Sequence, residues 1–130
     1  MATYIADRYP ICCLILISPF TSIKDVVNNL FGPIGSVLVK QRFENLKKIE
    51  HVRCPTLLIH GKKDDVIPSL HSEALYSKSC KFELILDAAR CHCHLVLPEN
   101  MTHSEIYYEQ HLIDPILKFF DSFGLKLSRN

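Results

Sequence analysis

Short apolar runs with no polar alternation, separated by stretches of helical spacing, dominate this chain. Ile11-Cys12-Cys13-Leu14-Ile15-Leu16-Ile17 is one such run, and Pro55-Thr56-Leu57-Leu58-Ile59 before His60-Gly61 is another. A strand that is apolar on both faces belongs inside a sheet covered by helices on each side. Around these runs, Ala2–Arg8 reads as the last turns of a helix stopped before Pro10. Ser22 and Asp25 make a capping-box-like start for a helix to about Leu30, which Phe31-Gly32-Pro33 breaks. Residues 34–49 are mixed, with Phe43, Leu46 and Ile49 at helical spacing near the end. Residues 69–79 are helical, with Leu70, Ala74 and Leu75 on one side. Two runs then compete for a single strand position, 82–86 and 94–97, joined by Asp87-Ala88-Ala89-Arg90. Residues 105–120 read as an amphipathic helix broken near Asp114-Pro115. Alternation of this kind predicts an α/β fold with a parallel sheet of about three strands flanked by helices.

Composition narrows the function classes. The 130 residues are 48% hydrophobic and 22% charged, enough apolar material for a core and too much for disorder. A net charge of +1 without a dense Lys/Arg run argues against nucleic acid as a partner. The six cysteines lack the context of a disulfide scaffold. The apolar run at 11–17 follows Asp7 and Pro10, has no small-residue cleavage site behind it, and is too short to span a bilayer. Reduced thiols and a cytoplasmic location are therefore expected, with any membrane attachment peripheral.

Ligands of open α/β sheets bind beyond the C-terminal ends of the strands. Two loops there carry chemistry: Gly61-Lys62-Lys63-Asp64-Asp65-Val66-Ile67-Pro68 and Pro98-Glu99-Asn100-Met101-Thr102-His103-Ser104. A carboxylate on one and a histidine on the next can meet across the sheet top, which is two-thirds of a nucleophilic triad. The order, acid before histidine, suits a strand–helix hydrolase.

At this point the chain resembles the Bem46-like α/β-hydrolases, relatives of the abhydrolase-type protein depalmitoylases. The resemblance rests on Tyr4-Ile5-Ala6-Asp7-Arg8-Tyr9-Pro10, Leu14-Ile15-Leu16-Ile17-Ser18-Pro19-Phe20-Thr21-Ser22, Cys54-Pro55-Thr56-Leu57-Leu58-Ile59-His60-Gly61 and the two loops. Only about residues 81–90 fall outside it, where this chain has roughly ten residues more than the family. The resemblance implies that residues 1–130 are the C-terminal part of one α/β-hydrolase domain. It places the triad acid on Asp64 rather than Asp65 and the catalytic base on His103. The plain alternatives are a turn or cap aspartate and a surface histidine. An acyl ester or thioester is the implied substrate, and no metal or organic cofactor is implied.

The family's nucleophile motif, Gly-x-Ser-x-Gly, does not occur in these residues. By the resemblance the chain begins just after it, so the chain alone is expected to be inactive as a serine hydrolase. Ser18 stands at a strand end, but the following residue must donate an N–H to the oxyanion, and Pro19 has none. Ser36 follows Gly35 without a strand before it. A strand at 11–17 lacking its usual neighbour would leave an apolar edge, giving self-association or completion of the sheet by another segment.

Cys91-His92-Cys93-His94 has zinc-binding residue types. Alternation along a strand would send the thiols and the imidazoles to opposite faces, so a cysteine-rich strand entry is the expected reading. His60 is expected to pack beneath the acid loop, and Tyr107 and Tyr108 to pack on the sheet.

Overall fold

The computed structural model describes residues 1–40, 42–86 and 92–124. Its elements are α1 (Ala2–Arg8), β1 (Leu14–Ile17), α2 (Ile23–Val37), α3 (Asn45–Ile49), β2 (Thr56–Ile59), α4 (Leu70–Leu86), β3 (Cys93–Val96), a π-helical turn at Glu109–Ile113, and α5 (Asp114–Ser122). The three strands lie in the order β1-β2-β3, all parallel, with Leu14 opposite Thr56 and Thr56 opposite Cys93. The α/β reading of the hydrophobic pattern and the sheet of three parallel strands agree.

The central strand explains the absence of polar alternation. Every residue of β2 is buried, and its side chains divide between two cores, as strand geometry requires. Leu58 packs with Ala6, Leu14, Ile49, Leu75 and Cys93 on one face. Leu57 and Ile59 pack with Met101 and Phe119 on the other. β1 is an edge strand, and its last residue, Ile17, is exposed.

Three expectations need correction. Residues 82–86 are not a strand but the end of α4. No Gly or Pro interrupts the chain from Ser69 to Leu86, so a helix begun there elongates through Glu83, Leu84 and Leu86, all good helix formers. Residues 105–107 precede rather than open the last helical segment. Tyr107 and Tyr108 are exposed instead of packed on the sheet. Pro115 stands where the π-helical turn passes directly into α5, and the wider turn, closed by the Asp114 N–H to the Glu109 carbonyl, accommodates a residue without an N–H inside a continuous helical stretch. Residues 87–91 lie outside the described residues.

The start of α2 and its internal kink follow from local chemistry. Ser22 Oγ accepts the Asp25 N–H at 3.1 Å, capping the helix as the spacing suggests. Gly32 takes φ +73° and kinks the helix before Pro33, so residues 33–37 form a second helical segment.

Candidate active site

Asp64 and His103 meet above the C-terminal ends of β2 and β3. His103 Nδ1 lies 3.0 Å from Asp64 Oδ2. The Asp64 side chain is wholly buried, whereas that of His103 is 41% exposed. The other carboxylate oxygen, Oδ1, accepts the N–H groups of Val66 at 3.1 Å and Ile67 at 2.8 Å. An ionised carboxylate only accepts, so Nδ1 must donate, leaving Nε2 of neutral His103 as the acceptor. Burial opposes ionisation of Asp64. The Ile67 N–H, the His103 ring and the Val66 N–H outweigh it and hold the carboxyl below its ordinary range.

The loops approach because Gly61 has no side chain. A Cβ there would fall 2.1 Å from the Met101 carbonyl oxygen. That contact lets Lys62 N–H reach Pro98 O at 3.0 Å and Lys63 N–H reach Met101 O at 3.2 Å. The two loops are thus stitched by backbone bonds, with Lys62 paired to Glu99 at the surface.

His60 lies under the acid loop, as its position after β2 suggests. It is fully buried. Its Nε2 is 2.7 Å from Ile67 O, which fixes the proton there, so Nδ1 accepts from the Ser72 hydroxyl at 2.6 Å. Nε2 also stands 3.5 Å from Asp64 Oδ2. His60 therefore ties the loop carrying Asp64 to the start of α4.

Sequence reasoning missed a second hydrogen-bonded network on the same rim, with Thr21, Ser22 and His71 buried and Asp25 and Asn29 at its surface. The hydroxyls of Thr21 and Ser22 donate to Asp25 Oδ2 at 2.6 and 2.7 Å. Thr21 Oγ1 is 2.9 Å from His71 Nδ1, and Asn29 Nδ2 is 2.9 Å from His71 Nε2. Burial pushes the His71 pKa down, opposed by Asp25 and reinforced by His60. Residues 50 apart carry no spacing signal in a sequence, so nothing could have found this pairing. It joins α2 to α4.

Ser18 adopts φ +45°, a left-handed conformation at the end of β1. It remains a poor nucleophile, because its neighbour Pro19 offers no oxyanion donor. Ser36 lies within α2. In β3, Cys93 points into the core, while His92 and His94 lie against the rings of Phe119 and Phe123. The thiol and imidazoles separate as a strand requires, and among the described residues no cluster of three metal-ligating side chains forms. Cys91 lies outside the described residues.

No family model matches the chain. Curated proteins do. The chain is 32% identical over 74 residues to the α/β hydrolase domain-containing protein aho-3 of Caenorhabditis elegans. It is 35% identical over 74 residues to the α/β hydrolase domain-containing protein 17B of Homo sapiens. The matched stretch is α/β-hydrolase sequence. This α/β-hydrolase stretch covers 57% of the chain in both comparisons, and 21% and 25% of the two relatives. It is also 42% identical over 72 residues to the uncharacterized protein YfhR of Escherichia coli (strain K12), 55% of this chain and 25% of YfhR. The chain thus matches about a quarter of the length of these curated relatives. Among solved structures, Zea mays acyl-protein thioesterase 2 superposes with a TM-score of 0.47 and 17% identity, over 93% of this chain and 48% of that one.

Proposed function

We propose that this α/β-hydrolase segment is the acid-and-base portion of a serine hydrolase acting on esters or thioesters. The observation that carries the reading is the 3.0 Å contact between His103 Nδ1 and a buried Asp64 whose second oxygen is locked by two N–H groups. In this scheme Asp64 holds the ring so that Nε2 takes the proton of a serine as its Oγ attacks the acyl carbon. The proton then passes to the departing alkoxide or thiolate. Water attacks the acyl-enzyme next, losing its proton to Nε2, which returns it to the serine oxygen as the acyl–serine bond breaks.

The serine is supplied by a Gly-x-Ser-x-Gly motif outside these 130 residues, which contain none. The motifs shared with the Bem46-like group favour thioesters of acylated proteins as the substrate class. The enzyme is cytoplasmic in this proposal; no helix among the described residues is long and apolar enough to cross a membrane.

The absence of the motif favours a second reading, a non-catalytic α/β module that binds a partner. Codons in frame upstream of Met1 distinguish the two. If they encode the motif, the extended chain should hydrolyse acyl thioesters and lose that activity with His103→Ala. Hydrolysis that survives His103→Ala would overturn the reading. The 130-residue chain itself should not react with a serine-directed fluorophosphonate probe, and stoichiometric labelling would contradict the assignment of the nucleophile elsewhere.

A further inference from the structure

Among the described residues, the most exposed large apolar side chains outside the N-terminus cluster on the kinked helix α2. Phe31, Ile34, Val37 and Leu38 are 73%, 83%, 78% and 85% exposed, with Leu30 beside them. Ile34, Val37 and Leu38 have the i, i+3, i+4 spacing of one helix face. Gly35 fastens that segment to the turn before it, since a Cβ there would fall 2.7 Å from Phe31 Cβ. The patch is therefore a formed surface.

Its charge pattern says what covers it. Residues 26–39 contain no charged side chain, and the cations Lys24, Lys40 and Arg42 bracket them. Asp25 is engaged by Thr21 and Ser22, and Glu44 by Lys47. We propose that this helix docks on an anionic lipid surface, its apolar face entering the headgroup–acyl boundary and its flanking cations meeting lipid phosphates. A single helical turn carrying Ile, Val and Leu beside a Phe, with basic flanks, has the composition of an interfacial helix. A second copy in an isologous contact fits poorly, because the same three cations would face each other. Asn29, one turn before the patch, bonds His71 at the start of α4, which places the helix on the rim that carries Asp64. The proposal needs no catalytic role for that rim.

The test is co-sedimentation of the 130-residue chain with vesicles of phosphatidylcholine alone or mixed with phosphatidylserine. Binding should favour the anionic vesicles, weaken with salt, and fall on the order of tenfold or more in Ile34→Asp/Leu38→Asp. Both positions are exposed, so circular dichroism should be unchanged. The chain has no tryptophan, which makes Val37→Trp a clean second reporter whose emission should shift to the blue on anionic vesicles. An unshifted spectrum at saturating lipid would overturn the proposal. So would equal vesicle binding by the double variant. Loss of self-association in that variant without any vesicle binding would assign the face to a second copy instead.

Discussion

Replacing Asp64 by Asn tests the geometry of the site at the level of single protons. The side chain keeps its shape, and the N–H groups of Val66 and Ile67, at 3.1 and 2.8 Å, still demand an acceptor. The amide oxygen must stay on that side, which turns its NH2 toward His103 Nδ1, where the carboxylate oxygen sat at 3.0 Å. Two donors would then face each other. The ring escapes by moving its proton to Nε2, the atom that accepts a proton from the nucleophile in the proposed mechanism. Two charge-assisted hydrogen bonds also become neutral ones, and the buried His60 Nε2–H loses its anionic neighbour at 3.5 Å. Together these should cost about 2 kcal/mol at neutral pH, or a melting temperature lower by roughly 5–10 °C. The sign with pH follows from the lowered pKa of Asp64. Its contribution is complete above the ordinary carboxylate pKa and is lost as pH falls through the lower folded value. The wild-type advantage over Asp64→Asn should therefore vanish in acid. Long-range 1H–15N spectra of the His103 ring read the tautomer directly. A ring that still carries its proton on Nδ1 in the variant would refute the reasoning.

Other consequences can be checked on the same protein. Gly61→Ala drives a methyl into the Met101 carbonyl and should cost about 2–3 kcal/mol in urea denaturation, net of a smaller gain from a stiffer unfolded chain. Equal stability would mean that the loops do not touch. His60→Leu strands the Ser72 hydroxyl and the Ile67 carbonyl in the interior, with a loss of about 2–4 kcal/mol by the same measurement. The open β1 edge, with Ile17 exposed, should give concentration-dependent self-association in sedimentation velocity. A monomer throughout the concentration range would show that the edge is protected.

The sheet was legible because burial on both faces leaves a mark that needs no alignment. Leu57, Leu58 and Ile59 are apolar in succession since neighbouring residues fill two different cores. The error at residues 82–86 has an equally physical source. A run of five residues that is mostly apolar looks the same whether a strand or a helix buries it, and only the uninterrupted helix before it decides. Helix α2 was read as ending at its Gly-Pro break, yet a left-handed glycine let the chain resume a helix at once. Breakers mark a change of direction better than they mark an end.

The site was legible only in part, and the division has a reason. That a carboxylate and a histidine would meet followed from two loops after strands that the topology forces together, whereas the choice of Asp64 over Asp65, and of His103, rested on the family resemblance. The parts that hold them could not. Gly61 matters through a carbonyl 40 residues away in sequence, and His60 through a serine on the next helix. Each is a packing relation between segments, with no residue spacing to betray it. These supports lie beneath Asp64, whose side chain is buried, while His103 remains partly open to solvent. In the proposed mechanism, a carboxylate fixed from below and a partly exposed imidazole above leave Nε2 open to receive a proton. Protein stability alone gains little from the exposed ring, since half-exposed ion pairs contribute weakly. The rigidity is spent on the orientation of one histidine, and orientation is what proton transfer requires.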